Sequence, residues 1–210
     1  PNRSNLMMEP EVDPDLSTSW SRCGAEPRVQ VRLGRTGRMD ETNTSAASTP
    51  PDDTERLAVS HTEMTELLVP DDTNSLGRAL GGTVLHWMDV CGAIAAMRFA
   101  GQQVVTASME HVDFIAPIEV GEVATIEGFV FDTGRTSLDV TVEVRAADPR
   151  TGEHRQTTSS YLTFVALDDD EQPTPVPSLV CPSDEEAARR DRALDARLEQ
   201  LEQVCARHGL

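Results

Sequence analysis

"TNSLGRALGGTVLHWMD", residues 73–89, ends on an acid set inside an apolar run. After Gly82, the residues Val84, Leu85, Trp87, Met88, Val90, Ala93, Ile94, Ala95, Ala96, Met97 and Phe99 put apolar side chains on nearly every side of a helix. A helix apolar all round is normally buried. An unpaired carboxylate in such a place costs several kcal/mol, so Asp89 needs a purpose. The helix is expected over about 82–100, closed by Gly101, with 73–81 as a Gly-containing loop before it.

Outward from the helix the pattern changes to strands. "LAVSHTEMTELLV" (57–69) reads as a first strand ended by Pro70 and the Asp71-Asp72 turn signal. Downstream lie "VVTASMEHVDFI" (104–115), "EVATIEGFVFD" (122–132), "SLDVTVEVRAA" (137–147) and "TTSSYLTFVAL" (157–167). The third alternates most cleanly, with Leu138, Val140, Val142, Val144 and Ala146 on one face. "DPRTGE" (148–153) is a hairpin connection. One strand, one buried helix and four strands able to run antiparallel make a compact α+β arrangement. With a single sheet to hide in, the helix needs a second subunit to cover part of its surface.

The flanks differ. Residues 1–38 hold six Arg against five acids, and Met39 is followed by a polar, acidic Ser/Thr/Pro-rich run. Residues 1–56 therefore read as a disordered leader. Translation beginning at Met39 would explain the composition break, as would a natural extension. Residues 57–170 form the folded domain, 171–182 an acidic Pro-rich linker, and 183–207 a helix. "SDEE" (183–186) is a capping box with Ser183 as N-cap and Glu186 at N3. Leu194, Leu198, Leu201 and Cys205 form one apolar stripe, expected to dock on the protein's own surface or on a neighbouring subunit.

The net charge is −18, from 36 acids against 18 bases, every one of them Arg. Such a surface repels nucleic acid and anionic membranes. It suits molar salt, where the Debye length shrinks to about 3 Å and self-repulsion is screened. The expectation is a cytoplasmic, salt-adapted (halophilic) protein, with an acidic protein from a GC-rich genome as the competing reading. The four Cys show no zinc spacing and no disulfide framework. The apolar helix is interrupted by His86, Asp89 and Arg98 and is not a membrane span. No signal peptide is visible at the N-terminus.

TNSLGRALGGTVLHWMD, VVTASMEHVDFIAPIEVGE, GRTSLDVTVEV and YLTFVALD, in that order, resemble the hotdog-fold acyl-CoA thioesterases. The nearest group is that of the bacterial short- and medium-chain and brain-type cytosolic acyl-CoA hydrolases. The likeness runs from about Asp71 to Asp168. It implies a long helix wrapped by a curved antiparallel sheet and sheets paired edge to edge in a dimer. It also implies a homo-oligomer, with a trimer of dimers as the expected hexamer. The family's functional pair falls on Asn74 and Asp89, acting across the interface, one from each protomer. The implied reaction is hydrolysis of acyl-CoA to fatty acid and CoA.

Hydrolysis of a thioester needs an activated water and a stabilised oxyanion. Asp89 suits the first task, because a carboxylate among apolar atoms is a better base than one in water. Gly92, Ala93 and Ala96 are small and leave that helix face open for a substrate. Whether Asp89 activates water or attacks the thioester itself is open. Gly81 and Gly82 lie where free N–H groups and the positive dipole end collect, and the Gly82 N–H is assigned to the carbonyl. Asn74 orients the water or the carbonyl oxygen; the competing reading is an Asx-turn. In "TGRTS" (133–137), Gly134, Arg135, Thr136 and Ser137 are candidate CoA contacts, the Arg135 fork matching phosphate. Arg98, Arg78 and Arg155 are weaker candidates for phosphates. His86 reads as a packing or interface residue, and His111 and Asp113 lack a third metal ligand. No cofactor and no metal is implied. The rival class is a non-catalytic acyl-CoA sensor, and such proteins carry a DNA-binding domain, for which no helix-turn-helix pattern is found. A hotdog dehydratase is a second rival, without its catalytic His.

Overall fold

The computed structural model describes residues 54–208, so the readings on residues 1–53 lie outside it. In chain order the elements are β1 (Thr54–Arg56), α1 (Leu57–Ser60), β2 (Thr62–Leu67), α2 (Gly81–Ala100), β3 (Gln103–Met109), β4 (Val123–Thr133), β5 (Ser137–Ala147), β6 (His154–Leu167), β7 (Ser178–Val180) and α3 (Asp184–His208). Five strands form one sheet in the order β2-β4-β5-β6-β3, antiparallel throughout. The expected hotdog arrangement is present: α2 lies against one face of the sheet, and α3 against the other.

Alternation decides the faces. Leu138, Val140, Val142, Val144 and Ala146 are all 0 % exposed, together on the face that meets α2. Val84, Met88, Cys91, Ala95 and Phe99 answer from the helix. The approach is close enough to require glycine on both sides. A Cβ on Gly92 would sit 3.0 Å from the Phe164 ring, and one on Gly128 would sit 3.2 Å from Thr141 O. This corrects one expectation: Gly92 is small to admit Phe164 and Ala96 is fully buried in the core, so of the three small residues only Ala93 stays half-exposed. Among the half-exposed residues of α2, Asp89, Val90, Ala93, Ile94 and Met97 form a largely apolar stripe.

The strand expected over 57–69 is shorter. Ser60 breaks it: its buried hydroxyl donates to Leu57 O at 2.7 Å and accepts from Val130 N at 2.9 Å, closing the single turn of α1. The strand expected over 104–115 ends at Met109; beyond it Glu110, His111 and Asp113 are bonded by Arg197, Gln200 and Arg207 of α3. Thr54–Arg56 and Ser178–Val180, in the stretches read as leader and linker, pair as parallel strands.

α3 is capped as expected. Ser183 Oγ accepts from Glu186 N at 3.2 Å, while the Glu186 carboxylate reaches Ser183 Oγ, Arg56 and Ala58 N. The face it turns to the sheet differs from the Leu stripe by one position. Glu186, Ala193 and Arg197 are buried, whereas Leu198 is 37 % exposed. Arg189 stacks 4.1 Å over the Phe129 ring. Arg197 lies between Glu110 and Asp139, with 3.0 Å from Nε to Glu110 and 2.6 Å from Nη1 to Asp139. Charge-assisted bonds and aromatic stacking thus replace an apolar seam. Cys91 and Cys181 are free thiols; Cys205, against the expectation, is disulfide-bonded. Among the described residues no helix is long and apolar enough to cross a membrane.

Candidate active site

Asp89 lies mid-way along α2 and faces β3. The Thr106 hydroxyl donates to its Oδ1 at 2.7 Å. Thr106 is followed by a register shift in the β3–β6 ladder, between Thr106 and Ser108, and a bulge is a common device for re-aiming a side chain. The other edge of β3 has no strand partner among the described residues. The carboxylate is therefore held, half-buried, at an open sheet edge. Sequence reading missed Thr106. Its signal was present in the "VVTAS" segment that carried the resemblance, but a Thr on a strand looks ordinary.

The rest of α2 excludes rival nucleophiles. Cys91 points into the sheet, with Sγ 3.6 Å from Ile126 O and 3.8 Å from Thr62 O. Burial pushes its thiol up to about 12, so it stays protonated. His86 is exposed on the same side as Asp89 and meets no described partner.

Asn74 is elsewhere on the protomer. Its Oδ1 accepts from Leu76 N at 2.9 Å and Arg78 N at 3.2 Å, which is the Asx-turn of the competing reading. That turn leaves the Nδ2 group with no hydrogen-bond partner among the described residues. Asn74 borders a cavity of about 320 Å³ with Gly81, Val84, Phe114 and Ile115; Asp89 does not. Asn74 precedes α2 and Asp89 lies about two turns into it, so one protomer keeps the two apart. Gly81 and Gly82 open α2, where the first amides have no intrahelical acceptor. Gly82 is exposed.

The turn between β4 and β5 presents Arg135 outward, and its backbone is stitched in place by Val176 N→Arg135 O and Ala166 N→Thr136 O, both 3.0 Å. Ser137 is buried, and a Cβ on Gly134 would fall 2.6 Å from Ser137 Oγ. Gly134 thus makes room for Ser137 within the turn. The weaker phosphate candidates are committed: Arg78 to Glu119, Arg155 to Glu122, and Arg98 to His61 O and Thr62. His111 bonds Asp113 at 3.0 Å, and this bond, with Arg207, lowers the Asp113 pKa.

Comparison with known proteins fits this architecture. The thioesterase superfamily model matches residues 76–153. An acyl-CoA thioester hydrolase of Bacillus subtilis, described as uncharacterized, is 36% identical over 130 residues, 62% of this chain and 76% of that protein. The apo structure of a hexameric acyl-CoA thioesterase is 41% identical with a TM-score of 0.65, covering 73% of this chain and 98% of that one. The acyl-CoA hydrolase of Staphylococcus aureus, solved with butyryl coenzyme A and coenzyme A, is 34% identical with a TM-score of 0.60, covering 75% and 99%. That protein has also been solved with alanine in place of one aspartate, one asparagine or one threonine. Their spacing along its chain equals that of Asp89, Asn74 and Thr106 here. The chain belongs to the thioesterase superfamily, the hotdog-fold thioester hydrolases.

Proposed function

We propose that the protein hydrolyses acyl-CoA thioesters to fatty acid and CoA at a site completed between two copies, with Asp89 from one protomer and Asn74 from the other. The observation that carries this is the Thr106-aligned carboxylate at the unpartnered edge of β3. A second copy pairing there covers the half-exposed apolar stripe of α2 and brings its own Asn74 toward Asp89. Relatives are named acyl-CoA thioester hydrolases, and two of the solved structures are of hexameric thioesterases.

In this reading Asp89 accepts a proton from water as the oxygen bonds to the thioester carbonyl carbon. The oxyanion is held by the Gly82 N–H, and Asn74 Nδ2 positions the water or the carbonyl. Collapse breaks the C–S bond, and the CoA sulfur leaves, taking up the proton. Arg135 and Thr136 meet the CoA phosphates, with Gly134 and Ser137 shaping the turn. The acidic surface fits a salt-rich cytoplasm, and the assembly is a dimer or a trimer of dimers. No cofactor enters these steps.

The test is thiol release from acyl-CoAs of increasing chain length, in molar salt. Absence of release from every one, by a protein whose assembly is intact, would overturn the reading. A single turnover in ¹⁸O water separates the two roles of Asp89: label in its carboxylate marks it as the nucleophile.

A further inference from the structure

Between the first turn of α2 and the segment leaving β3 lies the cavity of about 320 Å³. Ala79, Val84, Phe114, Ile115, Ala116 and Ile118 line it. The polar groups that reach it are mostly committed. Thr157 donates its hydroxyl to Val144 O at 3.0 Å, and its carbonyl accepts from Ile115 N at 2.9 Å and Ala116 N at 3.4 Å. Arg78 is paired with Glu119. Among the described residues, Asn74 Nδ2 and the opening amides of α2 are donors at this cavity that no acceptor holds. An acyl chain suits this distribution, with its carbonyl at Asn74 and the opening amides of α2. The pantetheine arm does not, because its amides and hydroxyl would exchange water for apolar walls.

We propose that this cavity holds the acyl chain and that Phe114 sets the longest chain hydrolysed well. The proposal rests on the acyl-CoA hydrolase reading above. Phe114 stands across the start of α2, with its Cζ 3.5 Å from where a Gly81 Cβ would be. The ring is 52 % exposed, so its removal enlarges the cavity without opening the core. α3 holds the segment from behind: Gln200 donates to His111 O at 3.0 Å and Arg207 to Asp113 at 3.2 Å. At about 320 Å³ in one protomer the cavity lies at the small end of ligand pockets, roughly 300–1,000 Å³, which favours medium chains over long ones.

The experiment measures kcat/KM from butyryl- to palmitoyl-CoA for the native protein, Phe114→Ala and Ala116→Leu. Native kcat/KM should rise up to about fourfold per methylene as far as decanoyl-CoA and then fall. Phe114→Ala should raise myristoyl- over hexanoyl-CoA by about tenfold or more, and Ala116→Leu should move the maximum to shorter chains. A second arm, independent of turnover, follows displacement of a fluorescent fatty acid by free fatty acids of each length and by CoA alone. Chain-length profiles unmoved by either variant would overturn the proposal. So would equal effects on CoA alone, which would place the pantetheine arm there, or failure of fatty acids to bind. If the native protein hydrolyses no acyl-CoA while fatty-acid binding shifts oppositely in the two variants, the hydrolase reading fails and the cavity assignment stands.

Discussion

Thr106 Oγ1 and Asp89 Oδ1 lie 2.7 Å apart, tying the middle of α2 to the sheet edge that has no strand partner among the described residues. A hydrogen bond to a charged group is worth about 1.5–3 kcal/mol. Thr106→Val keeps the side chain's shape and removes the donor, so kcat should fall about ten- to a hundredfold with KM little changed. A kcat within twofold of native would show that Asp89 needs no such alignment.

Asp89→Asn keeps the size of the side chain and removes the base. The fold and assembly should survive, and kcat should drop by about a hundredfold or more. Near-native turnover in steady-state assays would remove Asp89 from the chemistry.

A site shared between copies makes a prediction that no intra-chain site shares. Asp89→Asn and Asn74→Ala, each inactive alone, are dissociated, mixed equally and reassembled. Half of the two-fold dimers are then mixed, and each mixed dimer keeps one intact site, so activity should return to about a quarter of native. If both residues acted within one chain, the mixture would stay inactive.

Arg135→Ala should raise KM for acyl-CoA and leave kcat nearly unchanged, since a phosphate contact is equal in ground and transition states. The loss should be about 1–3 kcal/mol, and smaller in molar salt. A pantetheine thioester without the nucleotide should not respond. Equal loss of kcat on both substrates would assign Arg135 to the site's geometry.

Arg197→Met leaves Glu110 and Asp139 facing each other without their cation. Breaking a buried pair costs about 3–5 kcal/mol. Burial already raises the Glu110 pKa against the pull of Arg197, and the variant removes that pull. A raised folded-state pKa contributes stability that is complete at pH below the unfolded value and lost as pH rises through the folded one. Denaturant melts should therefore show a penalty that grows from pH 5 to pH 8. A penalty flat across that window would mean that Glu110 does not titrate there.

The helix and β5 were legible because one residue type recurs at one period: the apolar run set α2, and the alternation from Leu138 to Ala146 set the inward face of β5. Asp89 was legible as the acid in that run. Thr106 was not, because its role depends on a register shift and on a helix 17 residues away. The docking face of α3 was misread for a similar reason. Arg189 and Arg197 look solvated in sequence, and only the sheet supplies Phe129, Glu110 and Asp139 to hold them. Ser60 likewise turns the chain through a bond to Val130 in a distant strand.

The clasp of Thr54–Arg56 with Ser178–Val180 also has a mechanical side. The two strands run parallel, so tension applied before residue 54 and after residue 180 pulls on opposite ends of one ladder. Its hydrogen bonds are then loaded together in shear instead of peeling one at a time. The five-stranded sheet is shielded from that force until the clasp gives way, and a chain stretched by its flanks should yield there first.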